Sequence, residues 1–386
     1  MSSRPINLDH AATTPLREEV LEAMLPFYRN GVGNPSGSHS LSRAAVRALD
    51  DARERLAATL GAAPREVVFT SGGTEADNLA LTGTVRAALD AGVGSPVIVT
   101  SAVEHPAVRE TAKAANGWTA PVDRDAVVDL DILKDLIGKA GDALACVSLM
   151  LVNNETGTLQ PLGDAAEIVE QVTGGGGLVH SDAVQGFAWC DLSREAAEAD
   201  LVSLSAHKFG GPQGVGALLV RERARRRLRP VLFGGPQEQE LRAGTQNVAG
   251  AVGMSVAAEL THAEREDARR RCDELGDRLV AALTRMDGVE PAVARKRRVG
   301  AICNLRFRGI RAEELLLLLD ALGVYASAGS ACASGALEPS PVLAAMGVDA
   351  GAAKEHVRFS LGYETTVDDV DSAVRIVSAA VERLRT

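Results

Sequence analysis

One lysine stands out for the chemistry its neighbours could support. Lys208 lies in Ser205-Ala-His-Lys-Phe-Gly-Gly-Pro-Gln-Gly214, between two β-prone runs, Leu201 to Ser205 and Val215 to Val220, and it is one of only six lysines among 41 basic residues. Lysine, unlike arginine, can lose its proton when desolvated and then attack a carbonyl as a free amine. Ser205 and His207 add a hydroxyl and an imidazole at a buried strand end, where a phosphate could sit. An amine beside a phosphate pocket suits pyridoxal phosphate. That cofactor asks for three further parts: a carboxylate for the pyridine nitrogen, a group to stack on the ring, and a helix N-terminus for the phosphate.

The surrounding elements supply places for such parts. Val67-Val-Phe-Thr70 reads as a buried strand, and Ser71-Gly-Gly-Thr74 turns from it into a helix, so that Gly73 and Thr74 meet an anion at the helix start. Apolar strands at 96–100, 145–150 and 178–180 alternate with a helix after Pro106 and another from Asp164 to Gln171. This pattern predicts an α/β fold with a mostly parallel sheet covered on both faces. Ligands in such folds gather at the carboxyl ends of strands, where His105, Asn154, Asp182, Gln185 and Lys208 fall. Earlier in the chain, a helix is expected with Pro15 in an early position, then a polar loop at 31–39 and a helix striped by Leu41, Ala45, Leu49, Ala52, Leu56 and Leu60. From about residue 260 the pattern changes. A long helix from Glu259 to Arg285, a strand at 301–307, a helix at 312–322, a small-residue loop at 326–335, a strand at 357–361 and a final helix opened by Thr366-Val-Asp-Asp predict a smaller α+β domain. The expected division is 13–260 for the large domain, with 1–12 and 261–386 forming the small one.

With 386 residues and 46% hydrophobic content, the chain can bury a large core. A net charge of -10 argues against nucleic acid as the main ligand. No stretch of about 18 apolar residues occurs and the first residues lack an apolar leader, so no membrane association and a cytoplasmic location are expected. The cysteines at 146, 190, 272, 303 and 332 are odd in number and widely spread, which predicts reduced thiols and no metal site. Cys332 alone sits in a glycine- and serine-flanked loop, where a thiolate could act as a nucleophile.

Taken together, Asn7-Leu-Asp-His-Ala-Ala-Thr-Thr-Pro15, Thr70-Ser-Gly-Gly-Thr-Glu75, Glu104-His-Pro106, Val152-Asn-Asn-Glu-Thr-Gly157, His180-Ser-Asp-Ala-Val-Gln185, Ser205-Ala-His-Lys208, Arg242-Ala-Gly-Thr245 and Gly329-Ser-Ala-Cys332 resemble the cysteine desulfurases. These are pyridoxal phosphate enzymes of aminotransferase class V, with fold type I. The resemblance runs in order over nearly the whole chain. It implies a large domain built on a mostly parallel, seven-stranded-type sheet, and a smaller domain that carries the cysteine loop. It implies that Lys208 holds the cofactor as a Schiff base and shuttles the substrate α-proton. Asp182 would pair with the pyridine nitrogen, His105 would stack on the ring and serve as an acid-base group, and Gln185 would bond the phenolic oxygen. Gly73, Thr74, Ser205 and His207 would hold the phosphate, with Thr245 reaching it from a second subunit of a homodimer with shared active sites. Arg358 and Asn154, with Asn34 as a further candidate, would bind the substrate L-cysteine.

On the same resemblance, Cys332 would take the sulfur as a persulfide, leave L-alanine, and pass the sulfur to an acceptor protein. An iron-sulfur scaffold, a tRNA-thiolating enzyme or a biosynthetic pathway could each be served, and no segment chooses among them. Another class V enzyme, such as a selenocysteine lyase or an aminotransferase, would not need Cys332, while a non-catalytic sulfur-relay scaffold would not need Lys208. Gln213, Gln239 and the run Gly-Gly-Pro-Gln-Glu at 234–238 depart from the family pattern near the expected phosphate and subunit interface.

Overall fold

The computed structural model describes residues 4–29, 31, 33–329 and 340–386. Its centre is a seven-stranded sheet in the order Val67–Thr70, Gly216–Val220, Leu201–Ser205, Val179–Asp182, Leu144–Ser148, Val97–Ser101, Trp118–Ala120. Only Gly216–Val220 runs antiparallel to its neighbours. Every residue of the five inner strands is buried. That is the reason segments such as Val97–Ser101 and Gly216–Val220 read as near-continuous apolar runs rather than alternating ones. Helices Gly73–Asp90, Pro106–Ala114, Leu130–Ala140 and Leu162–Thr173 connect and cover the strands. The fold is α/β, as expected.

A second, three-stranded antiparallel sheet orders His356–Ser360, Ile302–Phe307 and Val289–Pro291. Near it, Ile6–Asn7 pairs in parallel with Val324–Tyr325, so the start of the chain is stitched to its last third. The final helix Val367–Arg385 begins with the expected capping box, the Thr366 and Asp369 side chains each serving the other's backbone N–H. Among the described residues, no helix is long and apolar enough to cross a membrane.

Two expectations need correction. Pro15 precedes the first helix, which spans Glu18–Arg29. The segment before that helix is held by the lysine turn instead: the N–H and hydroxyl of Thr14 both donate to the His207 carbonyl at 2.9 Å, and the Arg17 N–H donates to the Gly210 carbonyl at 3.0 Å. The long helix begins at Val248, not Glu259, and runs 36 residues to Leu283, with the Asn247 side chain accepting from the Gly250 N–H at its start. Its first three turns are small and mostly buried, without the polar face that betrays a surface helix.

Candidate active site

The carboxyl ends of the inner strands open into a cavity of about 490 Å³, within the range of about 300–1,000 Å³ usual for small-molecule sites. Gly73, Thr74, His105, Asn154, Asp182, Gln185, Ser205, His207, Lys208 and Arg358, all named from the sequence, line it. Asn34 and Thr245 do not, and both are exposed. Cys332 lies outside the described residues.

Lys208 follows strand Leu201–Ser205 on a short helical turn, Ala206–Lys208, which aims its side chain back across the strand ends. Its Nζ donates to the carbonyls of Ala11 and Ala12 at 2.6 and 2.8 Å. The Gln185 amide donates to the same Ala11 carbonyl at 2.7 Å. His207 is latched from the same side, its Nδ1 lying 3.1 Å from the Thr13 hydroxyl. The 11–14 segment therefore forms one wall around the amine. Burial, with the Lys208 charge adding to it, brings the His207 ring down to about 4, so it is neutral at ordinary pH and has one N–H to donate.

At the start of helix Gly73–Asp90, the first turn carries N–H groups without intrahelical partners. A Cβ at Gly73 would stand 2.7 Å from Val184 Cγ2, so only glycine keeps this approach open. The Ser205 side chain lies beside it, 3.5 Å from the same point. One turn along, Glu75 accepts from the Ser71 N–H at 2.9 Å and from Arg242 Nε at 2.8 Å, which ties the loop bearing Thr245 to the helix start.

Facing the lysine is a buried acidic cluster. Ligand atoms of Asp77, His105 and Asp182 all lie within 4.8 Å of one another. Asp182, which ends its strand, accepts the Val184 N–H at 2.9 Å. Burial pushes its carboxyl up, while His105 and Lys208 pull it back. His105 caps helix Pro106–Ala114, its Nδ1 accepting the Ala107 N–H at 3.2 Å, and burial lowers its basicity. Two strand positions before Asp182 and on the same face, His180 bonds Ser148 at 2.8 Å and Ser203 at 2.9 Å. Burial brings that ring to about 3, so it too is neutral.

On the far wall, the guanidinium of Arg358 is 1% exposed and donates to the Asn154 carbonyl and to Asp9 Oδ1, both at 2.8 Å. Its Nε is buried with no partner. An oriented guanidinium with an unbonded N–H is equipped to take a carboxylate.

Sequence reasoning passed over Asp77, Glu104, Glu155 and the Ala11 and Ala12 carbonyls. Asp77 had a signal: it stands three residues after Thr74, on the same helix face. Glu104 had one in its place beside His105. The alanine carbonyls had none, because they meet Lys208 across nearly 200 residues of chain. The cysteines at 146, 190, 272 and 303 are free and buried. Burial raises all four thiols, Cys272 to about 12, which makes them poor nucleophiles.

Residues 6–373 match the family described as aminotransferase class-V. The chain is 40% identical over 388 residues to the cysteine desulfurase IscS of Methanosarcina thermophila, covering 99% of this chain and 93% of that one. It is also 40% identical over 391 residues to the IscS-like cysteine desulfurase of Mycobacterium tuberculosis, covering 98% and 96%. Among solved structures, a NifS-like protein superposes with a TM-score of 0.90 at 34% identity, covering 98% of this chain and 100% of that one.

Proposed function

This chain belongs to the aminotransferase class-V family and, within it, to the cysteine desulfurases, and on that premise we propose that it converts L-cysteine to L-alanine with pyridoxal 5'-phosphate held around Lys208, passing the sulfur to Cys332. The observation that carries this reading is the convergence on one cavity of an amine, a buried carboxylate and a glycine-opened helix start, contributed by Lys208, Asp182 and Gly73. Such a donor set fits the cofactor's aldehyde, ring nitrogen and phosphate in turn.

When bound, the cofactor supplies an aldehyde that takes the substrate's amino group and a ring that accepts the electron pair released at its Cα. The remaining work falls to the chain. Asp182 would hold a proton on the ring nitrogen, and His105, its basicity lowered by burial, would cover one face of the ring. Gly73, Thr74, Ser205 and neutral His207 would donate to the phosphate, and Gln185 would reach the phenolic oxygen. Arg358 and Asn154 orient the substrate carboxylate, while the Lys208 amine moves the α-proton. Thr245, on the loop tied to the helix start by Arg242, would then serve the site of a second subunit in a homodimer, and Asn34 remains a further candidate for the substrate.

The sulfur step balances without an external oxidant. The thiol of Cys332 and L-cysteine become a persulfide and L-alanine: a C–S bond breaks, an S–S bond forms, and the thiol proton ends on carbon. The persulfide sulfur passes to a thiol of an acceptor protein. The division into residues 13–260 and a smaller unit of 1–12 with 261–386 is supported by the pairing of Ile6–Asn7 with Val324–Tyr325. The absence of a membrane-crossing helix among the described residues accords with a cytoplasmic location.

The test adds L-cysteine to the purified protein and follows alanine and sulfide. Lys208→Ala is expected to lose both turnover and the visible absorbance of the bound cofactor. Cys332→Ser is expected to keep the absorbance and stop releasing sulfide. Undiminished sulfide release by Cys332→Ser would point instead to a class V reaction that needs no protein thiol.

A further inference from the structure

Of the four carboxyl groups that line the cavity, Glu155 is held by the Ser340 hydroxyl, while Asp77, Glu104 and Asp182 act on one another and have too few partners to carry three charges. Asp77 is 1% exposed, Glu104 2% and Asp182 5%. Glu104 Oε1 accepts from the Ser101 hydroxyl at 2.5 Å and from the Met150 N–H at 3.0 Å, whereas its Oε2 is buried without a partner. Asp77 Oδ1 is likewise buried and unpartnered, 3.6 Å from the Nε2 of His180. The charged and titratable groups around the three are His105 and Arg109 from helix Pro106–Ala114, Lys208 from the turn after Leu201–Ser205 and His180 from the Asp182 strand, with Glu155, His207 and Arg358 on the rest of the cavity wall. Burial holds His180 neutral and lowers the basicity of His105, and Lys208 donates to two carbonyls. Like charges this close in a medium of low polarity repel strongly, so protons remain on the members without a cation.

We propose that Glu104 and Asp77 are positioning residues held as neutral carboxylic acids, leaving Asp182 as the one anion of the three. The inference rests on the reading that places the cofactor's ring nitrogen against Asp182. Burial lifts the Glu104 carboxyl to about 8 against its two hydrogen bonds, with the Asp182 charge adding to the rise. Burial and the Asp182 charge also raise Asp77 well above the usual carboxylate range. Neutral acids flanking Asp182 leave its charge undivided for the ring nitrogen. A charged Glu104 would add a second anion beside it.

The pH profile of turnover cannot isolate this group, because the substrate thiol titrates in the same region. The discriminating experiment is infrared spectroscopy of the cofactor-loaded, full-length protein at pH 7, reading the C=O stretch of protonated carboxyls. Glu104→Gln and Asp77→Asn should each remove one band, and Asp182→Asn none. Loss of a band in Asp182→Asn, or none in Glu104→Gln, overturns the assignment. Cofactor affinity gives a second reading: Glu104→Gln, neutral as the acid is proposed to be, should stay within about threefold of the unaltered protein, and a loss of about tenfold or more would show that the acid is ionised. If the unaltered protein binds cofactor and forms alanine while the bands disagree, this inference alone falls. If it binds no cofactor, the functional reading falls first.

Discussion

Two sets of buried acids in this molecule have almost the same exposure and opposite surroundings. Glu238 is 4% exposed, comparable with Asp77, Glu104 and Asp182. Both Glu238 oxygens meet Arg53 at 2.8 Å, and Oε2 also accepts the Phe69 N–H at 2.8 Å. It clamps a loop onto the edge strand Val67–Thr70 and has nothing left to offer a ligand. The cavity acids keep buried oxygens without partners on Asp77 and Glu104. Burial alone therefore says little about whether an acid is structural or functional. Satisfaction of its hydrogen bonds separates the two, since an unpaired buried polar group costs stability that only a ligand can recover.

The same isosteric change, carboxylate to amide, should break the comparison in opposite directions. At Asp182 it removes the anion opposite the ring nitrogen, and turnover of L-cysteine should fall by at least about 10²-fold, the usual scale for one preorganised electrostatic group. The urea midpoint should hardly move. Glu238→Gln leaves Arg53 facing a neutral amide at a site whose acid side chain is 1% exposed. Stability should drop by about 2–4 kcal/mol in urea unfolding, while the folded fraction retains turnover. A stability loss at Asp182 matching that at Glu238 would erase the distinction.

Much of the cavity was legible because its chemistry is local. Lys208 with Ser205 and His207, Gly73 with Thr74, and Asp182 with Gln185 each form a short constellation at a strand end, where the α/β architecture already predicts ligands. Glu238 was illegible: its partners Arg53 and Phe69 lie 185 and 169 residues away. Asp77 and Glu104 stand close to Thr74 and His105 in the sequence, but that position does not report that their side chains will be buried together. The Ala11 and Ala12 carbonyls show the same limit from the backbone side, where residue type carries no information. Asn34 and Thr245 were named by resemblance and do not line the cavity of their own chain.

Stability against pH sharpens the contrast within the cavity set. Glu104 titrates near 8 when folded, well above the ordinary carboxyl value. The folded chain therefore holds a proton that the unfolded chain has released, and this contribution, full at low pH, is lost as pH rises toward 8. Below about 6.5 the buried histidines at 180, 207 and 356, held near 3 to 4, impose the opposite slope, because they charge only on unfolding. From about pH 6.5 to 8 that opposite slope is gone, and Asp77, also raised by burial and the Asp182 charge, acts in the same direction as Glu104. There, unfolding of the cofactor-free protein should lose up to about 1.4 kcal/mol per pH unit to Glu104, the value for one proton. Glu104→Gln should flatten the profile by that amount. An identical slope in the variant would mean that the acid is ionised when folded and belongs with Glu238.

The smallest expected effect lies in the loop that Glu238 anchors. Glu238, Gln239 and Glu240 are three consecutive non-glycine residues with φ of +45°, +61° and +67°. Each pays a steric cost of about 1–2 kcal/mol for crowding its Cβ against the following carbonyl. Glu238 holds its conformation through Arg53, and the Gln239 side chain accepts from Arg225. Glu240 is exposed. Glu240→Gly removes the Cβ conflict but enlarges the freedom of the unfolded chain, so the net gain should be only about 0.5–1 kcal/mol in urea unfolding. The gain should survive in a Glu240→Gly, Asp182→Asn double variant, because the loop's strain and the cavity's charge are separate stores of free energy. A gain that vanishes there would show that the satisfied acid and the unsatisfied ones are coupled through strand Val67–Thr70 and the helix that follows it.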